Sequence, residues 1–191
     1  MKKIASLVLF SISFGMFSQI ADLPENISPL LIGEKIPNIS LRDVNGNEIK
    51  TNKIISKKTV LVFYRGGWCP YCNAQLADLQ EIENQIINLG YQVVAISPDA
   101  PSFLKQTEDN KELKYQLFSD SEGIFAQALG IAFKKEKDKL DKYSGGKNPG
   151  FLPVPSVYVI NENKEIEFLY INPNYSKRLD GNVLLAVLKT L

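Results

Sequence analysis

Cys69 and Cys72 are the only thiols in the 191-residue chain, and they stand three apart in Trp68-Cys69-Pro70-Tyr71-Cys72. The chain has no histidine. That removes His-based catalytic triads, His metal ligands and a His general base. A zinc site needs four ligands, typically Cys and His, so two cysteines alone do not supply one. A disulfide between residues this close restricts few chain configurations and is a poor staple. The spacing does suit reversible thiol–disulfide exchange, in which one sulfur attacks as the thiolate and the other resolves the bond formed. Neither a metal nor an organic cofactor is expected.

The elements around the pair must hold it in that role. Thr59-Val60-Leu61-Val62-Phe63-Tyr64 is a compact apolar run of β-formers and predicts a strand buried on both faces. A long helix is predicted from about Pro70 to Leu89, with Leu76, Leu79, Ile82 and Ile86 along one side and Gly90 ending it. Cys69 then caps the helix, and Pro70 takes the first helical position, where its missing N–H costs nothing. Cys72 lies one turn in, facing Cys69. Unpaired backbone N–H groups and the positive end of the helix dipole favour a thiolate on Cys69. Lowering a thiol pKa from about 8.5 to about 7 raises the thiolate fraction at neutral pH from a few per cent to about half. That shift amounts to roughly 2 kcal/mol. Arg65 adds positive potential from four residues upstream, and Trp68 shields one flank.

Elsewhere, residues 38–50 read as a hairpin across Asn45-Gly46-Asn47. Strands are expected at 91–96 and 115–118, with helices around 102–109 and 122–129. Ser156 to Ile160 and Glu165 to Tyr170 form a second hairpin, and an apolar helix containing Val183, Leu184, Val187, Leu188 and Leu191 closes the chain. Residues 134–150 are polar and lysine-rich, punctuated by Gly145, Gly146, Pro149 and Gly150, and predict a long mobile loop. Strands alternating with helices indicate one three-layer α/β domain.

Hydrophobic residues make up 45% of the chain and charged residues 23%, which is ordinary globular composition. A net charge of +1 gives no reason to expect a nucleic-acid or membrane-surface partner. Lys2 and Lys3 precede an uncharged apolar run from Ile4 to Phe17, too short to span a bilayer, which takes about 20 residues. With Ser18 and Gln19 after it, this pattern predicts a signal peptide over 1–19. Residues 20–31 then form an extended lead-in to a domain over 32–191. The mature protein is expected to be periplasmic or secreted, with no membrane span.

Phe63-Tyr64-Arg65-Gly66-Gly67-Trp68-Cys69-Pro70-Tyr71-Cys72 resembles the active-site segment of the thioredoxin-fold group that includes the AhpC/TSA peroxiredoxins. Val93 to Asp99, Leu117 to Gly123 and Leu152 to Ile160 are similar to later segments of the same family, and the likeness covers about residues 32–172. It implies a thioredoxin-like α/β/α fold with an N-terminal β-hairpin and peroxiredoxin-like insertions. The peroxiredoxin motif Pro-x-x-x-Thr-x-x-Cys places its attacking cysteine at Cys72, its Thr at Cys69 and its Pro at Arg65. The family's assisting Arg falls at Pro155. The Trp-Cys-x-x-Cys segment and the Val154-Pro155 pair resemble thioredoxin instead, where a cis proline packs against the disulfide and the residue before it binds a peptide. Thioredoxin's buried acid falls on Phe63, which leaves the proton acceptor for Cys72 unassigned.

The two templates select different nucleophiles, Cys72 on peroxiredoxin logic and Cys69 on thioredoxin logic. Cys69 is favoured because the helix terminus stabilises it more and Cys72 lies deeper. The expected function is thiol–disulfide oxidoreduction by Cys69 and Cys72, with Arg65, Trp68, Val154 and Pro155 positioning the substrate. Its partners are a thiol/disulfide protein or a thioredoxin-like electron donor. The alternative is a thiol peroxidase that reduces hydroperoxides and closes a Cys69–Cys72 disulfide. A non-enzymatic binding module with a structural disulfide is the third class.

Overall fold

The computed structural model describes residues 20–191 apart from residue 112. The expected signal peptide lies outside the described residues. The N-terminal hairpin joins β1 (Ser40–Arg42) to β2 (Glu48–Lys50), with Leu41 opposite Ile49. Its turn closes on the Asp43 carboxylate, which accepts from the N–H groups of Asn45 (2.9 Å) and Asn47 (2.8 Å). The chain continues through α1 (Thr51–Ile54), β3 (Thr59–Phe63), α2 (Pro70–Asn88), β4 (Gln92–Ser97), α3 (Pro101–Lys111) and β5 (Gln116–Ser119). It then runs through α4 (Ile124–Ala128), β6 (Ala132–Lys134), α5 (Asp138–Ser144) and β7 (Phe151–Pro153). It ends with β8 (Ser156–Ile160), β9 (Ile166–Ile171) and α6 (Gly181–Leu188).

Seven strands form one sheet in the order β2-β1-β5-β4-β3-β8-β9. The inner strands β3, β4 and β5 are parallel, and β8, β9 and β1 run antiparallel to their neighbours. Alternation along β3 divides its side chains between two cores. Val60 and Val62 pack with Leu76, Leu79 and Ile86 of α2, Leu104 of α3 and Leu184 and Leu188 of α6. Leu61 and Phe63 face the other way, toward Ile54 of α1 and Phe125 and Ala126 of α4. This is the three-layer α/β arrangement expected from the sequence, and all five β3 residues are buried.

Two expectations need correction. Residues 134–150 are not a plain loop, because they hold the end of β6 and all of α5, and β7 follows at once. The two positions that seat this stretch, Leu140 and Ser144, are buried among lysines that hid the pattern. Asn148 is buried too, and its side chain bonds the backbone of Gly150 and Phe151. In the terminal helix, Val183 is exposed and Leu185 takes a buried place beside Leu184 and Leu188. The lead-in is extended apart from one 3-10 turn at Pro24–Asn26, and it docks along the stretch around Gly130 through Ser28 N–H to Gly130 C=O (3.1 Å) and Leu30 N–H to Leu129 C=O (3.1 Å).

Candidate active site

The central strand β3 delivers the chain at Tyr64 to a sharp turn, and α2 starts five residues after Arg65. Cys69 is the N-cap, with extended backbone (φ −91°, ψ 117°), and Pro70 is the first helical residue. The turn is held by Cys69 N–H to Gly66 C=O (3.1 Å) and Asn73 N–H to Cys69 C=O (3.0 Å). Glycine is required at two places here. Gly66 has φ +141°, and a Cβ on it would meet the Trp68 indole nitrogen at 2.2 Å. A Cβ on Gly67 would meet Thr107 Oγ1 of α3 at 2.3 Å. Gly67 is in turn fastened on both sides, its N–H to Asp99 Oδ2 (2.7 Å) and its C=O to the Asn73 amide (2.9 Å).

Both cysteines are free thiols and both are buried, Cys69 at 1% and Cys72 at 0% exposure. Burial of Cys69 departs from the exposed cap the sequence suggested. The segment between β9 and α6, residues 172–180, reaches back over the start of α2. Its Arg178 Nη2 lies 3.4 Å from Cys72 Sγ. Its Tyr175 ring packs edge-on against Tyr71 at 5.8 Å and receives the Arg65 guanidinium at 4.3 Å. The same guanidinium lies 5.2 Å from the Trp68 ring, so Arg65 sits between two aromatic faces.

The two sulfurs share one hydrogen bond, and this sets their acidities. The Cys72 thiol, donating to Cys69, is the largest influence lowering the Cys69 thiol to about 5, with the Cys72 backbone N–H and the Arg65 and Arg178 charges acting in the same direction against burial. Cys72 moves the other way. Its proton is held by Cys69, burial and the neighbouring charge raise it further, and the Arg65 N–H and Arg178 guanidinium only partly offset this. These opposite shifts make Cys69, at the start of α2, the more acidic sulfur of the pair.

Trp68 stacks on Tyr143 of α5 at 5.7 Å, and Phe103 of α3 meets Tyr143 edge-on at 5.5 Å. These rings, with Gly67, Asp99 and Thr107, line an open cleft of about 300 Å³ beside the turn. Burial pushes the Asp99 carboxyl up to about 6, against its bonds from Gly67 and Ser97. Val154 and Pro155 are buried at the end of the strand pair that follows α5. The Val154–Pro155 bond is trans, not cis, because the chain stays extended from β7 into β8 and Asn172 N–H bonds the Pro155 carbonyl at 3.4 Å. The Val154 N–H is already bonded to Ile131 C=O (2.9 Å), so it is not free to hold a peptide.

Cys69, Cys72, Arg65 and Trp68 thus come together, and Val154 and Pro155 serve the strand packing near them. Sequence reasoning missed Arg178, Tyr175, Tyr143 and Asp99. Asp99 had a signal, since it follows the carboxyl end of a central parallel strand, where open α/β sheets place their sites. Arg178 had none, standing beside Lys177 in a polar stretch 106 residues from the cysteine it touches. Among the described residues, no cluster of His, Cys, Asp and Glu is placed to hold a metal ion, and no helix is long and apolar enough to cross a membrane.

Residues 32–169 match the AhpC/TSA family. A Haemophilus influenzae protein assigned to the bcp peroxiredoxins is 30% identical over 110 residues, 58% of this chain and 71% of that protein. In overall structure, the chain is similar to the peroxidoxin BcpB of Mycobacterium tuberculosis, with a TM-score of 0.69 and 17% identity, covering 84% of this chain and 97% of that one. It is also similar to reduced Prx3 of Vibrio vulnificus in complex with hydrogen peroxide, with a TM-score of 0.71 and 18% identity over 83% of this chain and 99% of that one.

Proposed function

Since the chain belongs to the AhpC/TSA family and is an oxidoreductase of peroxiredoxin type, we propose that it is a thiol peroxidase that reduces hydroperoxides with the Cys69–Cys72 dithiol. The observation that carries this reading is the burial of both sulfurs. Exchange with a protein disulfide needs three sulfurs in line and a partner chain brought to the attacking one. A hydroperoxide needs only room for two oxygens. Two guanidinium Nε–H donors, from Arg65 and Arg178, are buried in this cluster without an acceptor, and they suit a small oxygen-bearing substrate.

Cys69 is the attacking residue, because its sulfur carries the charge of the pair while Cys72 keeps the proton. The thiolate attacks the nearer peroxide oxygen and the O–O bond breaks. The departing alkoxide or hydroxide takes a proton and leaves as alcohol or water, and Cys69 becomes a sulfenic acid. Cys72 then attacks the sulfenic sulfur, forms the disulfide and releases water. Two electrons have passed from the dithiol to the peroxide, and an external thiol reductant returns them.

One observation favours dithiol–disulfide exchange with proteins as a second reading. Tyr71 and Tyr175, 47% and 48% exposed, form an apolar pair beside the dithiol on which a protein partner can rest. Stopped-flow peroxide consumption by the reduced protein separates the two. A thiol peroxidase consumes hydrogen peroxide far faster than free cysteine at the same pH. A rate no better than free cysteine, together with rapid reduction of a protein disulfide, overturns the peroxidase reading.

A further inference from the structure

Arg178 reaches the dithiol from a segment that fixes its position in advance. Its Nη1 donates to the carbonyl oxygens of Tyr175 and Lys177, and its Nη2 is the group on Cys72 Sγ. The segment is itself anchored on both sides of the arginine. Tyr175 packs on Tyr71 and Arg65. Leu179 is buried in the α2-side core, Gly181 N–H bonds Asp78 of α2 at 2.8 Å, and Asp180 caps α6 through the N–H groups of Asn182 and Val183. A guanidinium held this way needs little reorganisation when charge appears beside it.

In the resting pair this cation contacts the sulfur that keeps its proton, and its charge helps hold the neighbouring Cys69 as the thiolate. The situation reverses after Cys69 is oxidised. The Cys72 proton loses the thiolate that held it, and the neighbouring negative charge that opposed ionisation of Cys72 is gone. Burial still opposes it. What favours it is the Arg65 backbone N–H and the Arg178 guanidinium, both already in contact. We propose that Arg178 is the catalytic residue of the second half-reaction, stabilising the thiolate of Cys72 as it attacks the Cys69 sulfenic acid. In that step the S–S bond forms and the Cys69 S–O bond breaks. The leaving hydroxide combines with the proton released by Cys72 to give water. The inference rests on the peroxidase reading above.

The titratable and charged groups that face Cys72 are Cys69 on the helix cap, Arg65 in the turn, Arg178 and the Tyr64 phenol at the end of β3. Burial raises the Tyr64 phenol well above its ordinary value, so Cys72 is the group whose proton is lost during the second step.

The test follows the reduced full chain after a peroxide pulse, using the fluorescence of Trp68, its only tryptophan. The first phase scales with peroxide concentration, and the second does not. Arg178→Met is expected to slow the second phase at least about tenfold, the loss of a charge-assisted hydrogen bond. It also raises the apparent pKa of that phase and lets sulfenic acid accumulate on Cys69, seen by dimedone capture and mass spectrometry. Arg178→Lys, which keeps the charge and the packing of the stem, recovers part of the rate. A second phase unchanged in both variants, with wild-type peroxide reduction intact, overturns the role of Arg178 alone. A wild-type chain with no peroxide-dependent phase overturns the peroxidase reading and this inference with it.

Discussion

Removing the Cys72 thiol tests the shared proton on which the chemistry depends. In Cys72→Ala the Cys69 thiolate keeps its helix terminus and both arginines but loses the S–H donor, the largest influence on its acidity. A hydrogen bond to a charged group contributes about 1.5–3 kcal/mol. At about 1.4 kcal/mol per pH unit, that is roughly one to two units. The ionisation midpoint of Cys69, about 5 in the native chain, is then expected between about 6 and 7. At pH 5.5 the thiolate fraction falls from roughly three quarters to about a tenth for a midpoint near 6.5, so alkylation slows by about eightfold. The assay is iodoacetamide labelling of Cys69 across pH 4–9, read by mass spectrometry of its peptide. Cys72→Ser, which retains an O–H donor, is expected to shift less. A midpoint that stays near 5 in the alanine variant refutes the reasoning, because the helix and the arginines then suffice by themselves.

Other perturbations address the frame around the dithiol. Asp99 has a folded pKa near 6, above its unfolded value of about 3.9. Its contribution is therefore fully present below about pH 4 and is lost as pH rises through about 6, a cost of roughly 3 kcal/mol. Urea midpoints of the native chain should fall between pH 4.5 and 7.5 relative to Asp99→Asn, and parallel pH curves would refute this. Gly67→Ala drives a methyl into Thr107 Oγ1 and is expected to destabilise by about 1–3 kcal/mol. Adding Thr107→Ala, which removes that oxygen and leaves its Cβ 3.5 Å away, should restore most of the loss in thermal unfolding. Fractionation of bacterial cells expressing the full chain is expected to put it in the periplasm with its N-terminus near residue 19 or 20, and retention of Lys2 and Lys3 in a cytoplasmic product would refute the leader.

The parts of the fold written in local pattern were legible. β3 is an unbroken β-forming run, α2 carries its apolar side at Leu76, Leu79, Ile82 and Ile86, and Pro70 marks the first helical residue. The Asn-Gly hairpin likewise declares itself through turn chemistry. α5 did not, because its lysines and flanking glycines read as loop while a few buried side chains and the Trp68–Tyr143 stack decide its structure. The dithiol was legible as a spacing. Its surroundings were not, since Arg178 and Tyr175 arrive from the far end of the chain, and neither periodicity nor composition encodes a contact across that distance. The position of Pro155 suggested a peptide-binding arrangement, but the backbone N–H of Val154 had already been claimed by Ile131.

The single charge on the resting sulfur pair also bears on reduction potential. A thiolate held well below the ordinary thiol range stabilises the dithiol over the uncharged disulfide at pH 7 relative to an unperturbed thiol. The couple is thereby made more oxidising. Its disulfide is reduced more readily than that of the same pair with unperturbed thiols.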